Sequence, residues 1–535
     1  MALDKLILTN KKALQKKYKT DFLSIGALLK KLVGADKSKG LTSKYMFLDD
    51  GPSMKSCKAR LVTSSTNQRQ NKNAIDDLFR FYTPDYLLIF GAQDIIPFQS
   101  LVNDNYIATM SNRDSDDDDD ERMIDSDLPY ACETPYSPNK RVQNYINPSR
   151  VIGRLPDLPG QADLSYCSTI ITTAIEWKPL TTFPKNLFSL TTATWDKITE
   201  RIILEAVGHN HKSMVSPPRK EGQWKKADLS PLVHLINCHG GELDARFWGQ
   251  DAKTQEVEPA AIDSNDVTKK IRKGTIAVME CCFGGQLYKP NPAIELPMSI
   301  CNSYLLNGAI GYVGSSCSAF GAVNGEKFLY NADLIAKYFL RHLLNGSSIG
   351  RAFLETRQEY FSKNNQPDPI DFKTLAQFNL AGDPSLHFYR IQETMPKPKT
   401  RQTGNTLYFS PNRKGRRAQL EIKAGELMNT VSSLKEVKPT KNKTLKNEIE
   451  IILRKNKLNS KDRGKTFEIQ LPDVVRRGNK SVRANASLTN IDLKYSVYSS
   501  TKKIRKDGLV IKKKRVLILR ELNGQIVEQK LVVSK

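Results

Sequence analysis

Two short segments carry residue types that can make and break bonds: Asn237-Cys238-His239-Gly240-Gly241 and Glu280-Cys281-Cys282-Phe283-Gly284-Gly285. Each directly follows a short apolar run, LVHLIN at 232–237 and TIAVM at 275–279. A His and a Cys at the ends of neighbouring parallel strands can meet across the top of a sheet. There the imidazole takes or steers the thiol proton, and the thiolate is the nucleophile. Gly240 and Gly241 let the chain turn sharply and bring backbone N–H groups close to a bound carbonyl. Those groups, with the N–H of Cys282, could form an oxyanion hole.

The same residues admit plainer readings. Isolated Cys and His side chains usually serve packing. The other histidines, at 209, 211, 234, 342 and 387, have no comparable partner, and His234 alternates with apolar neighbours as a core residue does. A zinc site from Cys238, His239, Cys281 and Cys282 fails on geometry. Adjacent strand residues point to opposite faces, and structural zinc sites separate paired ligands by about two or more residues. No metal is therefore expected there. Neither a P-loop nor a Gly-x-Ser-x-Gly elbow is present.

The elements around these segments must form a sheet. Helical periodicity marks 20–32 and 72–82, and a short strand is expected over 44–48. YLLIF at 86–90, between Pro84 and Gly91, reads as a strand buried on both faces. Further on come strands near 150–155, 187–193, 232–237, 275–281 and 309–313. Helices are expected near 163–177, 195–207, 264–272, 295–306, 325–343 and 348–363. This alternation predicts an α/β sandwich with a mostly parallel sheet, in which reactive groups gather beyond the carboxyl ends of the strands. After Pro396-Lys-Pro-Lys-Thr-Arg401, which reads as a linker, the apolar stretches 447–453, 466–471, 492–498 and 516–519 resemble strands of a β-rich domain. The expected organisation is an N-terminal α/β part of the catalytic region at 1–84, the catalytic domain itself at 85–394 and a basic, β-rich accessory domain at 395–535.

Charge follows this division. Residues 391–535 hold 35 Lys+Arg against 13 Asp+Glu, a net of +22, whereas residues 1–390 hold 47 against 44, a net of only +3. A basic module on a nearly neutral body suggests nucleic acid or another polyanion as a partner of 395–535, with a solubilising surface as the plainer alternative. The eight cysteines form no paired framework. The first 22 residues are lysine-rich without an apolar h-region, and no run of about 18 apolar residues occurs. A cytoplasmic setting, reduced thiols and no membrane span are expected. The chemistry requires no cofactor. The aspartate run 116–120 leaves calcium open, although EF-hand ligand spacing is missing.

In the order of its motifs the sequence resembles the gingipain-like cysteine peptidases, relatives of caspases. His239-Gly240 is followed by Trp248-Gly249, and Glu280-Cys281-Cys282-Phe283-Gly284-Gly285 matches acidic-x-Cys-x-x-Gly. Val151-Ile-Gly-Arg154, AIGYVGSS at 309–316 and Ala381-Gly-Asp-Pro-Ser-Leu386 match in the same order, so the resemblance spans roughly 85–390. It implies a caspase-like αβα sandwich and peptide-bond hydrolysis through a thioester, with His239 as general acid/base and Cys282 as nucleophile. The oxyanion hole would be formed by Gly240 and Cys282. Cys281 also fits Cys-x-x-Gly, and strand register decides which thiol faces the cleft. Glu280 either orients the site or is structural.

Relatives commonly cleave after a basic or an acidic residue, and a pocket carboxylate would select Arg or Lys. Asp127, Asp196 and Asp244 are the candidates, with Trp248 as a pocket wall; their plainer roles are caps, solvated charges and core. Gingipains are secreted and carry an immunoglobulin-like β domain after the catalytic one; this chain shows no export signal. The expected partner is a protein or peptide substrate, and regulation by a ligand, a partner or cleavage is expected of a cytoplasmic protease. The competing reading is an inactive caspase-like scaffold with a polyanion-binding module.

Overall fold

The structure, a computed structural model, describes residues 3–105, 121–294, 296–363 and 367–390, and beyond these 433–439, 442–458, 463–470, 474–477, 480–483, 493–506, 509–522 and 524–535. Strands in chain order are β1 (Lys5–Thr9), β2 (Ser43–Phe47), β3 (Tyr86–Phe90), the hairpin β4 (Gln99–Val102) and β5 (Met123–Ser126), β6 (Val151–Leu155), β7 (Phe188–Thr192), β8 (Met214–Ser216) and β9 (Val233–Asn237). Then come β10 (His239–Gly240), β11 (Arg246–Trp248), β12 (Ala260–Asp263), β13 (Ile276–Met279), β14 (Gly311–Ser315), β15 (Phe320–Gly321) and β16 (Phe378–Gly382). The tail adds β17 (Ser433–Val437), β18 (Arg463–Gln470), the hairpin β19 (Val474–Arg477) and β20 (Lys480–Arg483), β21 (Leu493–Lys506), β22 (Leu509–Leu522) and β23 (Gln525–Ser534).

Ten strands form one sheet in the order β2-β1-β3-β6-β16-β14-β13-β9-β7-β8. Every neighbouring pair is parallel except β14 with β16. The sheet therefore consists of two parallel blocks running in opposite directions, joined at β14·β16. Residues 1–84 and 85–394 share it, since β1 lies between β2 and β3. Strands β1, β3, β6, β7, β9, β13, β14 and β16 are buried throughout, which is why their sequences are continuous apolar runs and not alternating ones. Burial on both faces requires helices on both. Phe22–Ser38 packs with Leu164–Glu176, while Ala332–Leu344 packs with Asp196–Val207 and Ile349–Ser362. This is the mixed α/β arrangement, with a mostly parallel central sheet, that the spacing of apolar runs predicts.

The tail forms a separate antiparallel sheet in the order β15-β23-β22-β21-β18-β17. Its first strand, β15, comes from the α/β part of the chain and pairs with β23. One face (Phe467, Tyr495, Val497, Val516, Ile518 and Val532) packs on Phe320 and Ile370. The other (Tyr498, Leu517 and Leu519) is covered by the helix Lys443–Lys455.

Two expectations are corrected. Residues 264–272 form successive turns and no regular helix. The stretch 447–453, read as a strand from its isoleucines, lies within the helix Lys443–Lys455. Leu445, Ile449, Ile452 and Leu453 recur there at helical spacing, and Asn442 caps it by accepting from the N–H of Thr444 and Leu445.

Candidate active site

Register brings the two chemistry-bearing segments together. In the parallel pair β9·β13, Ile236 lies opposite Met279. His239 and Cys282 each follow by three residues, so both emerge at the carboxyl end of adjacent strands. The two backbones touch: a Cβ on Gly240 would fall 1.9 Å from the Cys282 carbonyl oxygen. Only glycine permits that approach. The residue after Cys282, Phe283, adopts φ 54°, a left-handed conformation unusual for a bulky side chain. It turns the chain sharply just past the thiol.

The neighbouring cysteines face different surroundings. Cys281 packs into the main core, with its thiol 3.7 Å from the Ile236 carbonyl. Cys282 Sγ instead accepts from the Ala319 N–H at 3.3 Å and lies 3.5 Å from the Ala319 carbonyl, beside the short strand β15. Burial pushes the Cys282 thiol up to about 11, and the nearby Glu121 carboxylate adds to that. Glu121 is held ionised by Lys373 and Lys514, and it accepts from the Ser318 hydroxyl.

His239 is equally enclosed. Its ring lies 4.6 Å from that of Trp195. Burial, assisted by the charges of Lys513 and Lys535, pushes it down to about 3. Nε2–H donates to Gln250 Oε1 at 3.2 Å, and the Gln250 amide nitrogen donates to the Gln255 carbonyl. That orientation assigns the proton to Nε2 and leaves Nδ1 as the basic nitrogen.

The remaining sequence candidates have partners of their own. Asp127 accepts from the Arg154 guanidinium on both carboxylate oxygens, at 2.9 and 2.6 Å. Asp196 begins the helix Asp196–Val207 and accepts from Asn324. Asp244 accepts from Trp248 Nε1 at 2.7 Å and from Arg246. Trp248 is buried against Val257, Ala260 and Ile511. Lys535, the residue after β23, meets a different pair of acids. Its Nζ lies 2.7 Å from Glu280 Oε2 and pairs with Asp333. Its carbonyl accepts from the Cys282 N–H at 3.1 Å. Burial raises Glu280 to about 8 despite the ammonium beside it.

Sequence reasoning missed Gln250, Asp333 and Lys535. Gln250 follows the Trp248-Gly249 pair and was within reach of a motif argument; the other two come from distant segments and left no local signal. Among the described residues no group of three His, Cys, Asp or Glu side chains could hold a metal ion. The aspartate run 116–120, where calcium was considered, lies outside the described residues. Among the described residues no helix is long and apolar enough to cross a membrane.

Residues 235–389, which include both His239 and Cys282, match Peptidase family C25. No curated protein matches the chain. Among solved structures, one described as a protease aligns at 10% identity with a TM-score of 0.44, over 99% of this chain and 96% of that one. The separase of Saccharomyces cerevisiae, in complex with securin, aligns at 13% identity and a TM-score of 0.28, over 45% of this chain and 14% of the other. Over residues 235–389, the stretch that holds both His239 and Cys282, the chain is thus similar to a family of cysteine peptidases, family C25.

Proposed function

We propose that this cysteine peptidase is an endopeptidase in which Cys282 is the nucleophile and His239 the general acid/base. The observation that carries the reading is the β9·β13 register, which sets both residues three positions beyond an aligned pair. His239 Nδ1 takes the Cys282 proton, and the thiolate attacks the carbonyl carbon of the scissile bond. The developing oxyanion is met by the Cys282 N–H, with the N–H of Gly240 as second donor. As the C–N bond breaks, His239 returns its proton to the leaving amine and a thioester remains. Water, deprotonated by His239, hydrolyses the thioester and restores the thiol. Gln250 is a positioning residue that holds the ring in the Nε2–H tautomer.

The test is turnover of fluorogenic peptides carrying Arg, Lys, Asp or Leu before the scissile bond. Cys282→Ala and His239→Ala are expected to lower kcat/KM by roughly a thousandfold or more, and Cys281→Ala by less than about tenfold. Loss of activity in Cys281→Ala with retention in Cys282→Ala would overturn the assignment. A burial this complete around both reactive groups also supports regulation, because a substrate must displace whatever encloses them.

A further inference from the structure

What encloses them is a segment of the same chain. Strand β23 runs antiparallel to β15, with Ser534 opposite Phe320 and Val533 opposite Gly321. The pairing continues one residue further: the Lys535 N–H donates to the Ala319 carbonyl at 3.0 Å. Ala319 is the residue whose own N–H reaches Cys282 Sγ. The Lys535 carbonyl then accepts from the Cys282 N–H, the donor to which the oxyanion is assigned above. Addition of an extended strand to an exposed edge, with alternate side chains in pockets, is a general mode of peptide recognition.

The Lys535 side chain enters such a pocket. It is fully buried and paired with Glu280 and Asp333, and its ammonium lies 5.6 Å from the Trp195 ring centre. Gly321 makes the floor, where an added Cβ would sit 2.2 Å from Lys535 Cε. Asp333 is held in place by the backbone N–H groups of Ala322 and Tyr330. Glu280 Oε2 meets the ammonium, and Glu280 Oε1 is buried with no hydrogen-bond partner among the described residues. Two acids this close and closed off from water either keep a proton or hold a cation between them, and the Lys535 ammonium is that cation here.

From this juxtaposition we propose that Val532–Lys535 lies in the substrate's place. Lys535 stands where the residue before the scissile bond would stand, so the cleft is closed in cis, and Glu280 and Asp333 are the residues that select lysine. The inference rests on Cys282 being the reactive thiol. A substrate chain enters by displacing β23 from β15, and the fraction of molecules with β23 displaced sets the apparent affinity.

The experiment reads access to Cys282 without requiring turnover. Alkylation of Cys282 by iodoacetamide is followed by mass spectrometry in wild type, in Lys535→Met and in a variant lacking residues 532–535. Folding of each is checked by near-ultraviolet circular dichroism. Both variants are expected to react at least about tenfold faster than wild type. The free peptide Val-Val-Ser-Lys should slow the shortened variant again, and Val-Val-Ser-Leu should protect less. Glu280→Gln or Asp333→Asn in the shortened variant should abolish that difference between peptides. If the shortened variant does not fold, Lys535→Met carries the comparison alone. Equal alkylation rates in folded proteins, or no preference for the lysine peptide, would overturn the proposal. Faster alkylation with no peptide cleaved would uphold cis closure and remove the peptidase reading. Cleavage by wild type at the rate of both variants, with unchanged alkylation, would do the reverse.

Discussion

At the residue scale, Cys282 and His239 are both held in their neutral forms. With the thiol near 11 and the imidazole near 3, the interval between contains a thiol beside an uncharged base, and burial is the main cause at both ends. A thiol is a poor nucleophile in that state. Alkylation of wild-type Cys282 should therefore be slow at neutral pH and climb with pH towards a midpoint near 11. Glu121 contributes to that height, opposed by Lys373 and Lys514. Glu121→Gln removes the negative charge and keeps both lysines, so the midpoint should fall. Each unit of fall raises the rate at a fixed lower pH about tenfold. A midpoint that stays in place in a folded Glu121→Gln protein would show that Glu121 does not act on the thiol. The His and Cys were legible in the sequence because each follows an apolar run and precedes glycines. The charges that tune them were not, because Glu121, Lys373 and Lys514 come from three segments that meet only in the folded chain.

At the element scale, short apolar runs identified the central strands well, since a strand buried on both faces is apolar throughout. The same cue misled at 447–453. There Ile449, Ile451 and Ile452 suggested a strand, but the chain buries Ile449 and Ile452 and leaves Ile451 68% exposed. A strand would have buried residues two apart; a helix buries those three and four apart. Ile452 packs with Tyr498, Leu517 and Leu519 of the tail sheet. Ile452→Ala should cost about 2 kcal/mol or more of stability, because a buried branched side chain leaves a cavity. Ile451→Ala should change stability by less than about 0.5 kcal/mol, as at ordinary exposed positions. Urea unfolding of the two variants compares them directly, and equal costs would contradict the helical face.

At the scale of the whole molecule, the two opposed parallel blocks were hidden from the sequence. Nothing local marks the strand β16, which returns from residue 378 to lie between β6 and β14. The basic tail was visible as charge, but not where that charge goes. Among its described lysines, Lys514 pairs with Glu121, Lys530 with Asp368 and Asp371, and Lys535 with Glu280 and Asp333. Part of the tail's positive charge therefore faces inward, as a set of ion pairs that dock the tail sheet on the catalytic body. Removing one partner of a buried pair exposes the cost of the other, commonly about 3 kcal/mol. Lys530→Met should be destabilising by that order at pH 7, because Asp368 and Asp371 remain together and buried.

The pH dependence identifies the cause. Burial, then repulsion from Asp371, raises Asp368 to about 7 even with Lys530 present. A raised carboxyl binds a proton in the folded state at a pH where the unfolded chain, near 3.8, has lost it. Stability therefore rises as pH falls through 7 towards 4. Without Lys530 the carboxyl is raised further, so the deficit of Lys530→Met relative to wild type should shrink as pH drops from 8 to about 5. Thermal unfolding across that range measures it, and a deficit independent of pH would assign the loss to packing alone. Because β23 carries both Lys530 and the segment lying against Cys282, the same substitution should also speed Cys282 alkylation, coupling the docking of the tail to the opening of the cleft.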